Sequence, residues 1–303
     1  MTSPEPFGVV VMAYGTPASP DDVEAYYTHI RRGRAPEPHL LAELIGRYES
    51  LGGTSPLREI TAAQTARIAA ALGDGFVVAQ GNKHAAPFIE DAVAEVLAAG
   101  ASSVTGVVLA PHYSRGSVGE YAARLAEAAG STPATTLEQW ADLPAWLKFQ
   151  TVAVKRELRS LPGRSKVVFT AHSLPERVLV DDPYPDQLRA SATAIAGAAS
   201  LDRWTGWSIA WQSAGRTADP WRGPDILEVL DEVAAAGEVP GVLVCPQGFT
   251  ADHLEVLYDL DDVAAERAAS LGLAFARTAS LNDDEAVLTA LAARVAALAA
   301  TLG

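Results

Sequence analysis

Short apolar runs rich in β-branched residues recur along the chain at 9–12, 76–79, 104–109, 135–137, 167–170, 207–210, 242–245 and 273–275. Between them lie stretches with helical periodicity, such as 60–72 and 88–97, each followed by a glycine placed to stop a helix, Gly73 and Gly100. Strands that alternate with helices must pair in parallel, because only a crossover connection returns the chain to the same edge. The two halves repeat the pattern. This predicts an α/β fold of two Rossmann-like lobes with parallel sheets and a cleft between them. The expected division is 1–145 for the first lobe, 146–282 for the second, and 283–303 for an alanine-rich helix that packs back across a lobe.

With 303 residues, 49% of them apolar, both lobes can fill a core. A formal charge of −14 argues against a nucleic-acid backbone or an anionic membrane as partner. The stretch Met1 to Pro6 has no basic region followed by an apolar segment, and no uncharged apolar run reaches 18 residues. A cytoplasmic protein without stable membrane insertion is the expectation. The single cysteine, Cys245, excludes an internal disulfide and a four-cysteine cluster, and its apolar surroundings make it a small core residue.

In open parallel sheets, ligands bind beyond the carboxyl ends of strands. His172 stands at such an end, after Val167-Val168-Phe169-Thr170, and Ser173-Leu174-Pro175 stiffens the turn behind it. Glu255 follows the strand run 241–245, so an imidazole and a carboxylate can converge to hold a divalent first-row metal. A histidine satisfied by a backbone carbonyl is the alternative. His253 is expected to point to another helix face and to be structural. Beyond Glu255, the residues Asp259, Asp262 and Glu266 fall at i+4, i+7 and i+11, one face of an α-helix. They form either a solvated acidic face or a path for cations towards Glu255 and His172.

His112 follows its own strand run much as His172 does. Tyr14 ends the first strand, where a phenol can face a flat ligand or serve as an ordinary half-buried aromatic. The segment 26–34 carries Arg31, Arg32 and Arg34 within an acidic chain, suited to an anionic small molecule through bidentate guanidinium contacts, or to a solvated helix end. Ser55, in Gly52-Gly53-Thr54-Ser55-Pro56, can contact an anion or cap the next helix. No GxGxxG, Walker A or HExxH pattern occurs.

The segments VVMAYGTP, YYTHIRRGR, RYESLGGTSPL, HAAPFIEDAV, LAPHYS, AHSLPE, DPYPDQL, WQSAGRTADPWRGPD and GFTADHLEVLYDLD, in this order, resemble those of the ferrochelatases. The likeness is greatest to the soluble bacterial type that acts on coproporphyrin III. The resemblance implies insertion of Fe²⁺, as substrate, into that porphyrin to give coproheme, with loss of two protons. It places the metal pair at His172 and Glu255, while Asp259 and Asp262 as an outer path rest on the helical spacing alone. It places porphyrin contacts at Tyr14, Arg31, Arg47, Tyr48, Ser55 and Tyr121, with Tyr14 as axial ligand of the product iron. It also implies a downstream coproheme decarboxylase as partner; some relatives hold a cysteine-ligated [2Fe–2S] cluster, which the single cysteine here excludes, and a monomer is the expectation. Where relatives carry an acid eight residues beyond Glu255, this chain has Val263. Alternatives are a protoporphyrin IX chelatase, a cobalt or nickel chelatase of a related tetrapyrrole, and a non-catalytic tetrapyrrole carrier.

Overall fold

The computed structural model describes residues 5–202 and 206–302. Met1 to Pro4, which the reading of the N-terminus used, and Gly303 lie outside the described residues. The chain forms two compact units interleaved in sequence. The first holds Met1–Ala110, Gly116–Trp140 and Asn282–Gly303, and the second Pro111–Arg115 and Ala141–Leu281.

In the first unit, β1 (Phe7–Ala13), β2 (Phe76–Asn82), β3 (Ser103–Val108) and β4 (Ala134–Leu137) form a parallel sheet in the order β2-β1-β3-β4. The chain passes through α1 (Val23–Ile30), α2 (Pro38–Ser50) and α3 (Leu57–Leu72) between β1 and β2. Helices α4 (Ile89–Ala98) and α5 (Val118–Ala129) supply the later crossovers. Val9, Val10, Val11 and Met12 of the central strand β1 are wholly buried, as a strand covered on both faces requires.

The second unit repeats the plan. Its strands β5 (Lys166–His172), β6 (Trp207–Gln212), β7 (Gly241–Cys245) and β8 (Ala274–Arg277) are ordered β6-β5-β7-β8, all parallel. Helices α6 (Pro144–Glu157) and α7 (Tyr184–Ala199) flank β5, and α8 (Ile226–Ala236) joins β6 to β7. Alternation along the strands divides the core in two. Val168, Val242 and Val244 pack with Leu230 of α8 and Leu260 on one face. Val167, Phe169, Leu243 and Cys245 pack with Val154 and Ile195 on the other. Full burial of each such aliphatic or aromatic side chain contributes about 1.5–3 kcal/mol. Cys245 is therefore a core residue, with its thiol on the amide of Gln150.

Between β7 and β8 the chain forms α9 (Leu254–Val256), a π-helical segment (Leu257–Ala264) and α10 (Ala265–Ser270). The last helix, α11 (Glu285–Ala299), packs against α3 within the first unit, and Gln64 of α3 donates to the carbonyl of Asn282. Among the described residues, no helix is long and apolar enough to cross a membrane.

Candidate functional site

His172 is the last residue of β5, paired with Gln212 at the end of β6. Its Nδ1 lies against the Ser173 carbonyl, which can only accept, so Nδ1 carries a proton and the neutral ring keeps its lone pair on Nε2. That Nε2 is 3.5 Å from Glu255 Oε1, and both side chains are about one-third exposed, at 34% each. Burial opposes the imidazolium, but the Glu255 carboxylate, the Ser173 carbonyl and the more distant Asp259 together raise the His172 pKa. Burial likewise opposes the Glu255 carboxylate, yet His172 and then His253 hold its pKa well below the usual range.

His253 stands beside the pair rather than apart from it, with Nε2 3.6 Å from Glu255 Oε2 and Nδ1 bonded to the Ala251 carbonyl at 3.0 Å. The argument from helix faces does not apply to it, because His253 is an extended N-cap residue, φ −154° and ψ 179°. The expected carboxylate ladder also changes. In a π-turn more residues are needed to come round to the same side, so a residue at i+4 stays near the line of Glu255 while one at i+7 leaves it. Asp259 accepts a 2.5 Å hydrogen bond from Ser213 Oγ, beyond the end of β6. Among the described residues, no hydrogen bond or ion pair joins Asp262 to this group, and Glu266 is exposed. Of the two acids Asp259 and Asp262, only Asp259 is tied to the end of β6 beside this group.

Gln212 and Ser213 complete the cluster. Gln212 Nε2 donates to the Glu255 carbonyl at 3.3 Å, while its buried Oε1 has no protein partner. Tyr184 donates its hydroxyl to the His172 carbonyl at 3.3 Å and packs on Trp211. The likeness of His112 to His172 ends at the strand run. His112 is buried with Nε2 on Ser191 Oγ at 2.8 Å, and burial lowers its pKa to about 3, so it is a neutral packing residue.

In the first unit, Tyr14 follows the central strand β1 and is 43% exposed, its ring 4.6 Å from that of His84. Lys83 lies 5.2 Å over the Tyr121 ring and pairs with Glu120. Tyr121 is buried, which raises its pKa well above the ordinary phenol value and keeps it a donor. Arg31 lies 5.7 Å over the ring of Tyr27, and its buried Nε has no protein partner. Arg47 pairs with Glu43 at 2.7 Å, one helical turn back. Tyr48 is buried, with its hydroxyl 3.3 Å from that of Thr16. Ser55 is buried and accepts from the Leu57 amide at 3.3 Å, in the turn that leads into α3. Lys83 is given no role by the sequence patterns, and His84 enters only as the first residue of the segment His84 to Val93 that carries the family resemblance.

The chain is similar to known proteins along nearly all its length. It is 44% identical over 265 residues to coproporphyrin III ferrochelatase 2 of Bacillus cereus, covering 84% of this chain and 82% of that one. It is 40% identical over 298 residues to coproporphyrin III ferrochelatase of Bacillus subtilis (strain 168), covering 94% and 95%. The fold is shared with SirB from Bacillus subtilis with Fe³⁺, at a TM-score of 0.59 and 14% identity over 98% of this chain and 96% of that one. It is shared also with CbiX, the terminal enzyme for biosynthesis of siroheme in denitrifying bacteria, at 0.57 and 17% over 96% and 98%. The ferrochelatase family model matches residues 6–298, and the chain belongs to the ferrochelatase family.

Proposed function

We propose that this chain inserts Fe²⁺ into coproporphyrin III to give coproheme in heme biosynthesis, with His172 and Glu255 as the residues that hold the incoming iron. The observation that carries the reading is the His172–Glu255 pair, 3.5 Å apart at the end of a buried central strand. That separation exceeds a good hydrogen bond. It suits two donors each about 2.1 Å from one metal ion at a tetrahedral angle, which stand roughly 3.4 Å apart. Nitrogen and oxygen donors match a first-row divalent ion, and a two-residue set leaves positions open for water and then for the ring.

Two pyrrole protons must leave as iron enters. Once the metal passes to the ring, it leaves behind an imidazole whose affinity for protons is raised by Glu255 and Asp259. His172 Nε2 then takes up a proton, and Glu255 stabilises the resulting imidazolium; such general-base assistance is worth about 10²–10⁴-fold. Asp259, held by Ser213, supplies the next carboxylate on the route of the hydrated ion. Arg31, with its unpartnered buried Nε, supports recognition of a carboxylate-rich ring, as do the names of the Bacillus relatives. Tyr14 faces the ring as the axial ligand of the product iron, with Arg47, Tyr48, Ser55 and Tyr121 near its propionates. In the same reading the protein works in the cytoplasm as a monomer and passes coproheme to a decarboxylase.

The test is anaerobic absorbance spectroscopy with Fe²⁺ and either coproporphyrin III or protoporphyrin IX. Coproporphyrin should be metallated and protoporphyrin much more slowly. His172→Ala should abolish turnover while leaving coproporphyrin binding intact. Undiminished insertion by that variant overturns the site assignment, and faster turnover of protoporphyrin overturns the substrate.

A further inference from the structure

Arg277 ends β8 with its side chain only 14% exposed. Its Nε and Nη2 grip Asp261 bidentately, at 2.6 Å to Oδ1 and 2.8 Å to Oδ2. Its Nη1 reaches Asp252 Oδ1 at 3.0 Å, which also accepts from Ser280 Oγ at 2.9 Å. Asp252 directly precedes His253, and Asp261 lies on the π-helical segment. One guanidinium therefore joins two points of the chain on either side of Glu255 and Asp259. Among the described residues, none of its hydrogen bonds goes to His172 or Glu255 themselves.

We propose that Arg277 is a positioning residue for iron delivery, fixing the segment 252–261 at both ends so that Glu255 and Asp259 stand at the right distance from His172. The inference rests on the reading that His172 and Glu255 handle the iron. Three physical considerations carry it. A π-helix is rare and occurs as short interruptions of α-helices, commonly at functional sites, so its register has to be imposed by contacts outside it. Asp261 is six residues beyond Glu255 on this segment, and the planar grip fixes its azimuth as well as its position. Second, the segment carries Asp252, Glu255, Asp259, Asp261 and Asp262 within eleven residues, and Arg277 neutralises part of that charge where it would push the chain apart. Third, the arrangement needs the fork of a guanidinium. A lysine carries the charge, but it cannot bind both oxygens of Asp261 and reach Asp252 from one rigid plane.

The experiment compares Arg277→Lys, Asp261→Asn and the double variant with the unmodified protein, measuring Tm, coproporphyrin III affinity by absorbance titration, and KM and kcat for Fe²⁺. Arg277→Lys should fold and bind coproporphyrin III as the unmodified protein does. Its KM for Fe²⁺ should rise about tenfold, the scale of losses when an outer partner of a metal site is removed, with a much smaller change in kcat. The double variant should be no worse than Arg277→Lys alone, because both changes break one interaction. Should Arg277→Lys fail to fold, Asp261→Asn keeps the Asp252 contact and carries the same test. A folded variant with unchanged KM for Fe²⁺ overturns the inference. So does a rise in KM matched by equal losses in porphyrin affinity and Tm, which marks a general packing role. His172→Ala is run in parallel. If it still inserts iron, the site reading fails; if it is dead while Arg277→Lys is unaffected, only the positioning role fails.

Discussion

Gly248 offers the sharpest test of how the second unit places its carboxylate. The residue lies in the loop that leads from β7 to Glu255, and its amide donates to the Thr170 carbonyl at 3.1 Å. A Cβ added there would stand 2.5 Å from Ala171 Cβ and 2.8 Å from Ala171 Cα. Ala171 is wholly buried and is hydrogen-bonded into β5, so it cannot retreat. Ordinary contact begins near 3.4 Å, and the loop must lift by about 0.9 Å to reach it. Overpacking of this kind costs about 1–3 kcal/mol, and stretching the bond to Thr170 adds about 1 kcal/mol. Gly248→Ala should therefore lower Tm by roughly 3–6 °C in a chain of 303 residues. Glu255 follows the lifted loop, and a misplacement near 1 Å costs about 10²-fold in turnover. The assay is anaerobic iron insertion followed by absorbance, alongside thermal unfolding. Gly197→Ala is the control of opposite sign. Gly197 sits in α7 with nothing within 4 Å of an added Cβ, so alanine there should stabilise by up to about 1 kcal/mol. An unchanged Tm in Gly248→Ala would refute the close approach. A lowered Tm with full turnover would refute the link from this loop to Glu255.

Two further predictions concern the same cluster. Ser213 holds a left-handed backbone, φ 60°, while its hydroxyl binds Asp259. Ser213→Ala loses that bond and keeps the strain, whereas Ser213→Gly loses the bond but relieves a strain of about 1–2 kcal/mol; Tm should be higher for glycine than for alanine, with iron use weakened in both. A higher Tm for alanine would reject the strain argument. The raised His172 pKa also has a proton signature. Metal binding needs the neutral imidazole, so Zn²⁺ or Co²⁺ binding at pH 7 should release about one proton through His172, absent in His172→Ala, and should strengthen as pH rises. For folding the sign is opposite. A raised histidine pKa gives stability that is complete below the ordinary histidine value and is lost as pH climbs through the raised one. Calorimetry in two buffers of different ionisation enthalpy reads the proton count; no release at pH 7 would contradict the electrostatic account.

All eight strands were legible as short apolar or β-branched runs, a signal that needs no partner to be seen. The end of α3 was equally plain, at Gly73 with φ 75°. The positions of His172 at the end of β5 and of Glu255 beyond β7 are legible because each follows such a strand. What escaped depends on contacts between distant residues. The π-helical turn has no composition of its own, so α-periodicity puts Asp262 in line with Glu255, whereas a π-helical spacing does not. The extended backbone at His253 hid its approach to Glu255. The grip of Arg277 on Asp252 and Asp261 links residues 25 and 16 apart and depends on β8 lying beside β7. Sequence patterns carry no sign of such a closure.

The setting of His172 bears on where compliance resides during the reaction. Strand β5 is bonded on one side to β6 and on the other to β7, and the side chains of Val167, Val168, Phe169 and Ala171 are closed from solvent. Amide exchange at Val167, Val168 and Phe169 should be among the slowest in the second unit, since opening them means breaking two ladders at once. In the proposed reaction, an iron donor at the end of such a strand, His172, has little freedom to travel towards the substrate. A large aromatic macrocycle is the softer body, and roughly 1–5 kcal/mol of strain is within reach of the binding energy available at its periphery. The adjustment that lets a pyrrole nitrogen meet the metal then belongs to the ring, which domes or saddles against an unyielding anvil.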